Sequence, residues 1–226
     1  PQWIVVEPTA GGWGGNPGAD GESALINLTN RSFKNIPVEV YESKFPVRIE
    51  RFAIRTDSGG PGRHRGGCGV IRSFRLLEDA SVSVWFERSV TPAWGLSGGG
   101  HGAGPAVHAD GPAGPWAALK ANCVAMPAGT LVTIETGGGG GYGPALERAA
   151  DEVARDVRQH YVSIEGAAND YSVVVDPVTL EVDEEATRLR RDGEAARPRR
   201  GPAQPQATAP APALPEAPDP APAQAT

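Results

Sequence analysis

Leu131-Val-Thr-Ile-Glu-Thr-Gly-Gly-Gly-Gly-Gly-Tyr-Gly-Pro144 joins an alternating stretch to a run of five glycines. The alternation places Val132 and Ile134 on one side of an extended backbone, which predicts a half-buried strand over residues 131–135. The glycine run, residues 137–141, predicts either a tight connection or a place where chains pack closer than a Cβ atom allows. The same combination of short strand and glycine-rich connection recurs along the chain.

Three further stretches predict strands: Pro37–Tyr41, Pro46–Ile54 and Ser81–Glu87. In the last of these, Val82, Val84 and Phe86 share one face. Glycine-rich connectors lie between the predicted strands, at residues 59–62, 66–67 and 98–100. The 30 glycines, 22 prolines and only 6% aromatic residues favour many tight turns. We therefore expect an α+β, mainly β fold with antiparallel sandwich-like or barrel-like layers, glycine-rich loops and C-terminal helices.

A helix is predicted after the glycine run, because apolar residues recur at helical spacing at Leu146, Ala149, Ala150, Val153, Val157 and Tyr161. Charged residues cover the opposite face of this predicted helix: Glu147, Arg148, Glu152, Arg155 and Asp156. Ser163 has the side chain of an N-cap and predicts a second, shorter helix that ends near Tyr171.

Composition divides the chain into a folded region, residues 1–176, and a linker with an Ala/Pro-rich tail, residues 177–226. The tail after Pro198 has almost nothing to bury, so we expect it to be disordered. Between the two lies a basic stretch, Arg188–Arg200. It forms either a short helix, Glu184–Arg191, or a solvated linker, and the linker is the favoured interpretation.

Charge and targeting signals argue against several classes of protein. The net charge of -6 and the pI of about 5.3 argue against a surface that binds nucleic acid. No apolar run predicts a membrane span and no signal peptide is visible. Cys68 and Cys123 show neither disulfide nor zinc spacing, so we expect free, buried thiols in a reducing, cytoplasmic compartment. Pro1–Val6 resembles the interior of a strand, from which we expect a piece of a longer polypeptide.

The most distinctive candidate site is Asp57-Ser-Gly-Gly-Pro-Gly-Arg-His-Arg-Gly-Gly-Cys-Gly69. Its glycines allow the backbone to turn sharply and to approach a ligand closely. Arg63 and Arg65 supply cations suited to a carboxylate or a phosphate, and Asp57 can orient the loop. The alternative is a tight connection whose arginines pair with surface acids, and residue chemistry leaves both open.

The glycine run is a second candidate, with Gly138, Gly139 and Gly140 placed between a strand and a helix. Such a loop can present its N–H groups to an anion. It lacks the Lys and Ser/Thr of a Walker loop, and no βαβ unit surrounds it to support a dinucleotide site. Close packing of neighbouring chains is the alternative.

A third candidate combines Asn27 and Asn30 with Glu39 and Glu42. On a strand, Glu39 shares a face with Tyr41, so that Asn27, Asn30 and Glu39 can converge as polar contacts to a ligand. Asparagines also make turns on their own account, which is the alternative. The histidines follow no metal-binding pattern, and no Gly-x-Ser-x-Gly motif supports a serine hydrolase.

In their order along the chain, these stretches resemble the C-terminal half of the hydantoinase B/oxoprolinase family. The resemblance covers about residues 10–176 and rests on GGWGGNPGADGESA, NLTN…IPVEVYESKFPVRIERF, DSGGPGRHRGGCG, WGLSGGG, IETGGGGGYG and ANDYSVVVD. Asn27 stands where oxoprolinase-like members carry His, which favours the hydantoinase branch. Pro144 stands after Tyr-Gly where the family usually has Asp.

The resemblance implies an ATP-dependent system of two subunits. An A-type ATPase partner that binds ATP and Mg²⁺ phosphorylates a small cyclic amide, and the B-type subunit completes the hydrolysis. The family's metal-binding residues lie in an N-terminal half absent from this chain. We therefore expect this segment to bind no cofactor, to be inactive alone, and to expose apolar surface where that half packs.

Several motif positions carry over from the family, as substrate contacts or as parts of the scaffold: Asn27, Asn30, Glu39, Glu42, Asp57, Gly59, Gly60, Arg63, Arg65 and Gly138–Gly141. No general base or nucleophile can be assigned among them. Two alternatives stay open: a subunit of an acetone or acetophenone carboxylase, and a non-catalytic β-rich binding module.

Overall fold

The structure, a computed structural model, describes residues 3–26 and 35–195. Its strands are β1 (Val47–Ile54), β2 (Val70–Leu76), β3 (Ala80–Trp85), β4 (Ala106–Asp110), β5 (Trp116–Ala117), β6 (Lys120–Met126) and β7 (Leu131–Glu135). Its helices are α1 (Val38–Lys44), α2 (Ala150–Arg158), α3 (Ile164–Tyr171) and α4 (Glu184–Ala195), with a 3-10 turn at Ala145–Glu147. Helix α1 precedes the strands, and the other three helices follow them.

Five strands form one antiparallel sheet in the order β1-β2-β7-β4-β5, and β3 pairs with β6 in a second antiparallel sheet. Both sheets contribute to one hydrophobic core, whose buried members are Tyr41, Val47, Leu76, Val84, Val107, Ala109, Met126 and Val132. Removing these side chains from water is the main force that holds the sheets together. The prediction of a mainly antiparallel β structure with a few helices is confirmed.

Three of the four predicted strands form where the alternation placed them. β1 and β7 lie within their predicted stretches, and β3 begins one residue before its stretch. In β3, Val84 is buried, while Val82 and the following Phe86 pack against the core. The inward face predicted for this strand is correct.

The predicted strand at residues 37–41 is wrong, because Val38–Lys44 form helix α1. Glu39 in the first turn and Lys44 in the last suit the helix dipole. Tyr41 is buried in the core while Glu39 is exposed, so these two side chains do not share a face. Apolar alternation over five residues cannot separate a strand from one helical turn, and the packing of Tyr41 decides the outcome.

The helix predicted from residue 146 is divided in two. Arg148 and Ala149 have extended backbone conformations, so a 3-10 turn ends before them and α2 starts at Ala150. The second helix, α3, forms as predicted: the Ser163 hydroxyl accepts a hydrogen bond from the backbone N–H of Gly166 at 2.8 Å. Helices α2 and α3 and the segment after them share a second core: Val153, Ala154, Val157, Val162, Ala167, Tyr171, Val173 and Val175.

The favoured interpretation of a solvated linker is wrong for residues 184–195, which form helix α4. The Asp183 carboxylate accepts a hydrogen bond from the Ala186 N–H at 2.9 Å and caps the helix. Thr187 is buried, and its hydroxyl accepts from the Val174 N–H at 2.9 Å. The Ala/Pro-rich tail lies outside the described residues, so its predicted disorder stays a prediction.

The two cysteines differ in their surroundings. Cys68 is fully buried, as expected, but Cys123 is exposed, which corrects the expectation of two buried thiols. Cys123 lies beside an irregularity in the β3–β6 pairing and has a left-handed backbone (φ 52°). None of the helices in the described part of the chain is long and apolar enough to cross a lipid bilayer.

Candidate functional site

Four glycine-rich segments lie against one another and together form what we call the glycine web: residues 11–15, 58–69, 94–104 and 137–143. They are joined by backbone hydrogen bonds, such as Gly60 N–H to Gly139 O at 2.8 Å and Gly141 N–H to Gly100 O at 2.9 Å. The web therefore places peptide groups of four distant parts of the chain in direct contact.

The run Gly138–Gly141 lies at the centre of the web. A Cβ atom at each position would stand far inside contact distance of a backbone oxygen: 1.8 Å from Ser58 at Gly138, 1.9 Å from Trp13 at Gly139, 2.0 Å from Trp94 at Gly140 and 2.2 Å from Pro61 at Gly141. Backbone atoms cannot rotate away as a flexible side chain can. Close packing of chains therefore accounts for these glycines.

The N–H groups of this run are largely committed to the web. Gly138 donates to Ala103 O at 3.0 Å, and Gly139 donates to Gly67 O at 2.9 Å. Gly140 is buried with them. The structure therefore favours the packing interpretation over an anion-holding loop at this run.

A buried ionic cluster joins the web to helix α2. The Arg148 guanidinium, 1% exposed, donates to both carboxylate oxygens of Asp20 at 2.7 Å and to Asp156 at 3.0 Å. It also donates to the backbone oxygen of Arg63 at 3.0 Å. The prediction that Arg148 and Asp156 lie on a solvated helix face is therefore wrong, because both side chains turn inward and pair with each other.

Arg63 and Arg65, the predicted anion-holding pair, are not brought together. Arg65 is buried, with its Nε 3.5 Å from Asp156 and its guanidinium 4.5 Å from the centre of the Tyr161 ring. Arg63 is exposed. In the alternative interpretation of this loop, the arginines pair with acidic side chains on the surface. The acidic side chain that Arg65 contacts is Asp156, which is buried.

The ionic cluster shifts the pKa values of its members in different directions. Burial alone would raise the pKa of Asp20, but the hydrogen bonds and charge of Arg148 outweigh burial and lower it. Burial raises the pKa of Asp156, which lies deeper, and Arg148 and Arg65 oppose that rise. Burial disfavours the charge on Arg148, yet the two carboxylates raise its pKa, so it stays protonated.

Asp57 holds the start of helix α3. Its carboxylate accepts a hydrogen bond from the Ser163 N–H at 2.7 Å, and its own N–H donates to Tyr161 O at 3.0 Å. Gly59 and Gly60 follow it inside the web, where a Cβ would stand 2.1 and 2.3 Å from backbone oxygens. The Asp57 carboxylate thus supports the N-cap residue of α3, and its role in orienting an anion-holding loop stays a prediction.

The third candidate site does not assemble within the described residues. Asn27 and Asn30 lie outside them. Glu39 is exposed on α1, and the Glu42 carboxylate accepts a hydrogen bond from the Ile49 N–H at 2.7 Å. Within residues 3–26 and 35–195, no three His, Cys, Asp or Glu side chains come together as a set that can hold a metal ion.

One cleft opens beside the glycine web, and we call it the web cleft. Its volume is about 320 Å³, and its walls include Thr9, Gly11, Phe86, Ala93, Pro105 and Gly137. Glu87 and Arg88 also line it; Arg88 has a left-handed backbone (φ 60°) and its guanidinium lies 4.9 Å from the centre of the Trp94 ring. A larger depression of about 430 Å³ lies at the ends of β3 and β6, away from the web.

Sequence reasoning missed the web cleft and the ionic cluster. No motif marks Phe86–Arg88, because the residues follow a strand without a glycine or a turn signal of their own. Arg148 and Asp156 occur at helical spacing among other charged residues, which is the usual pattern of a solvated face. Only the fold places Asp20 opposite them.

The comparisons with known proteins agree on one family. The sequence model of the family described as Hydantoinase B/oxoprolinase matches residues 1–145. The putative B-type subunit of a D-/L-hydantoinase from Pseudomonas sp. (strain NS671) is 32% identical over 192 residues, which cover 84% of this chain and 32% of that protein. This chain therefore spans about a third of the length of that relative.

Two solved structures share the fold. The ATP-dependent caprolactamase from Pseudomonas jessenii superposes with a TM-score of 0.70 at 30% identity, over 81% of this chain and 33% of that one. A nucleotide-free acetone carboxylase gives the same TM-score at 23% identity, over 82% of this chain and 30% of that one, which shows a common fold alone. The resemblance inferred from the glycine-rich motifs is confirmed, and the chain belongs to the hydantoinase B/oxoprolinase family.

Proposed function

We propose that this chain is the C-terminal section of the B-type subunit of an ATP-dependent hydrolase that opens small cyclic amides. The observation that carries the proposal is the likeness to caprolactamase, at 30% identity and a TM-score of 0.70 over four fifths of the chain. The names of the relatives, a D-/L-hydantoinase and 5-oxoprolinase among them, support the same class of substrate. All three names refer to rings that contain an amide group.

The proposal includes a partner, because the similar hydantoinase and caprolactamase chains are named as B-type and beta-type subunits of their enzymes. An A-type ATPase partner binds ATP and Mg²⁺ and activates the amide, and the B-type subunit completes the hydrolysis. Residues of the B-type subunit outside this chain hold a divalent metal. The complex acts in the cytoplasm. The strands of this chain form sandwich-like layers around the core that both sheets share.

The described residues support a scaffold and binding role for this section. Arg65, Asp57 and the glycines at 138–141 make their contacts within the fold, and the Arg63 side chain is exposed. No nucleophile with an adjacent base stands out among the described residues. Exposed apolar side chains, such as Ile4 (82% exposed) and Val6 (86%), offer surface on which the rest of the subunit can pack.

The test uses the complete B-type subunit that contains this chain, purified with its A-type partner. We expect ADP release that depends on a cyclic amide, measured with hydantoin, 5-oxoproline and caprolactam in parallel. Omission of either subunit is the control and is expected to remove the turnover. ATP use that depends on a ketone and bicarbonate instead would identify the carboxylase branch, and no turnover with any of these would contradict the proposal.

A further inference from the structure

We infer that residues 3–7, which we call the N-terminal segment, pair along their backbone with a β-strand from the part of the B-type subunit that this chain lacks. The inference rests on the proposed function, because it takes this chain as the C-terminal section of a longer subunit. The chain spans about a third of the hydantoinase relative and of the caprolactamase chain. About two thirds of such a subunit are therefore left to supply the strand.

One face of the N-terminal segment is anchored in the fold. Its side chains alternate between partly buried and exposed, which is the period of an extended strand. Trp3 and Val5 pack against the sheet core. The Glu7 carboxylate pairs with the guanidinium of Arg72 on β2. The segment thus has a fixed position on the molecule before any partner strand is added.

The other face of the N-terminal segment is apolar and uncovered within the described residues. Ile4 is 82% exposed and Val6 is 86% exposed. Together with the inward side chains they make an unbroken apolar run, Trp3-Ile-Val-Val6. A strand with one solvated face alternates apolar and polar residues, whereas a continuous apolar run is typical of a strand that is buried on both faces. The sequence of the segment therefore suits a strand with protein on both sides.

The backbone of the N-terminal segment is open as well. No peptide group of residues 3–9 makes a backbone hydrogen bond within residues 3–26 and 35–195. Extended backbone with open N–H and C=O groups is the template to which another strand adds. Pro8 has no N–H and limits the ladder at its C-terminal end. The pairing is therefore placed at residues 3–7.

Strand β1 shows how this chain treats an edge that faces water. It is the outermost strand of the five-stranded sheet, and its exposed side chains include Arg48, Glu50 and Arg51. The Glu42 carboxylate also accepts the Ile49 N–H at 2.7 Å. Charged side chains along an edge strand prevent pairing with another chain. The outward face of the N-terminal segment has no such charge, which marks it as an edge that receives a partner.

The position of the segment identifies the occupant. In a C-terminal section, the rest of the subunit precedes Pro1 and enters the fold through the N-terminal segment. Strands that follow one another in the sequence lie next to each other in roughly two thirds of cases, because the connection between them is short. The preceding polypeptide is therefore favoured over the A-type partner and over a second copy of this chain.

Hydrogen–deuterium exchange measured by mass spectrometry compares the complete B-type subunit with the 226-residue chain. We expect about half of the N–H groups of the N-terminal segment to become protected in the complete subunit, since one neighbouring strand bonds alternate residues. Their exchange should be slower by about a hundredfold or more than in the chain alone. Strand β7, Leu131–Glu135, is the internal control and should be protected in both samples.

A pair of variants in the complete subunit keeps the test decisive if the chain alone folds poorly. Val6→Lys places a charge where the partner strand packs, and we expect exchange of the N-terminal segment to rise by about tenfold or more, because a buried unpaired charge is costly. Val178→Lys is the matched control, since Val178 is also a valine and is 88% exposed. It should leave the exchange of the segment unchanged.

Several results would overturn the inference. Fast exchange of the N-terminal segment in the complete subunit would do so, and so would equal exchange in the two lysine variants. Protection in the folded chain alone would place the partner strand within this chain, and protection that grows with its concentration would indicate a second copy. Protection that appears only after the A-type subunit is added would identify that subunit as the occupant.

The inference and the proposed function fail in different ways. A complete subunit that protects the segment but shows no amide-dependent ATP use with its A-type partner would leave the strand pairing standing and remove the proposed activity. Amide-dependent turnover by a complex whose N-terminal segment exchanges freely would do the reverse.

Discussion

The glycine web and the sheet core fill space in two different ways. In the sheet core, side chains such as Leu76 and Val132, each 1% exposed or less, pack against other side chains that can change rotamer. In the web, backbone packs on backbone, and a single methyl group at Gly138 would meet a carbonyl oxygen at 1.8 Å. The core should therefore lose stability in graded steps, whereas the most closely packed positions of the web, such as Gly138, should tolerate no side chain at all.

Gly138→Ala should have the largest effect of the changes considered. The obstacles are the backbone atoms of Ser58 and Gly59, so a methyl group fits only if two segments of the web separate. Overpacking against side chains costs about 1–3 kcal/mol, and we expect more than about 4 kcal/mol here, a loss confined to exceptional sites. Urea unfolding followed by circular dichroism measures this loss of unfolding free energy. A loss of that size would be enough to unfold many small domains.

Gly14→Ala is the matched control for this prediction, with an open Cβ position 3.6 Å from Gly140 O. We expect its unfolding free energy to lie within about 1 kcal/mol of the wild type, because alanine also restricts the unfolded chain. If Gly138→Ala proved as stable as Gly14→Ala, backbone packing would not require glycine at position 138. That result would contradict the distinction between the web and the core.

Arg148→Ala should have the next largest effect, because it removes the ionic cluster that connects the web to helix α2. The change leaves Asp156 buried at 2% exposure with its closest cation removed. Removing one partner of a buried ion pair costs about 3–5 kcal/mol. Arg155→Ala, on the exposed face of the same helix, is the control and should change the unfolding free energy by less than about 0.5 kcal/mol.

A double-mutant cycle sharpens the result. Asp20→Ala with Arg148→Ala should cost clearly less than the sum of the single changes, because the two side chains share hydrogen bonds at 2.7 Å. Strict additivity would show that the cluster does not act as a unit.

The contrast between the two regions also explains what the sequence could predict. Strands β1, β3 and β7 follow from period-two alternation, and the Ser163 cap follows from its side chain, because these are local effects. The sequence alone leaves two roles for the glycine run open, because it does not show which segments surround the run.

The inward turn of Arg148 could not be predicted from local pattern, because its partner Asp20 is 128 residues away along the chain. The same is true of α1, where burial of Tyr41 outweighs the weak alternation of five residues. Helix α4 is different: Asp183 followed by two glutamates is a recognisable helix start, although the basic residues after it are equally typical of a solvated linker.

Leu76→Ala tests the expectation that the sheet core loses stability in graded steps. Leu76 is 1% exposed at the end of β2, and its removal leaves a cavity that the neighbouring side chains can partly fill. We expect a loss of about 3 kcal/mol, within the roughly 2–5 kcal/mol usual for this change. Leu77→Ala, next in the chain but 52% exposed, is the matched control and should have a much smaller effect on the urea midpoint.

Ser163→Ala should have the smallest effect on stability, about 1 kcal/mol, the usual value for loss of an N-cap side chain. Helix α3 retains a second acceptor, because Asp57 still receives the backbone N–H of residue 163.

Asp57→Asn completes the comparison: Asn tolerates the left-handed backbone at this position (φ 60°) and keeps the acceptor oxygen, and only the charge near the helix start is lost. That charge contributes about 0.3–1 kcal/mol, so we expect a small loss measured by thermal unfolding. The same variant separates two roles for Asp57, because a helix cap affects stability and leaves amide-dependent turnover of the complete enzyme near wild type. A group that orients a ligand-holding loop would instead abolish turnover at full stability, and that result would restore the anion-site interpretation of the Asp57–Gly69 loop.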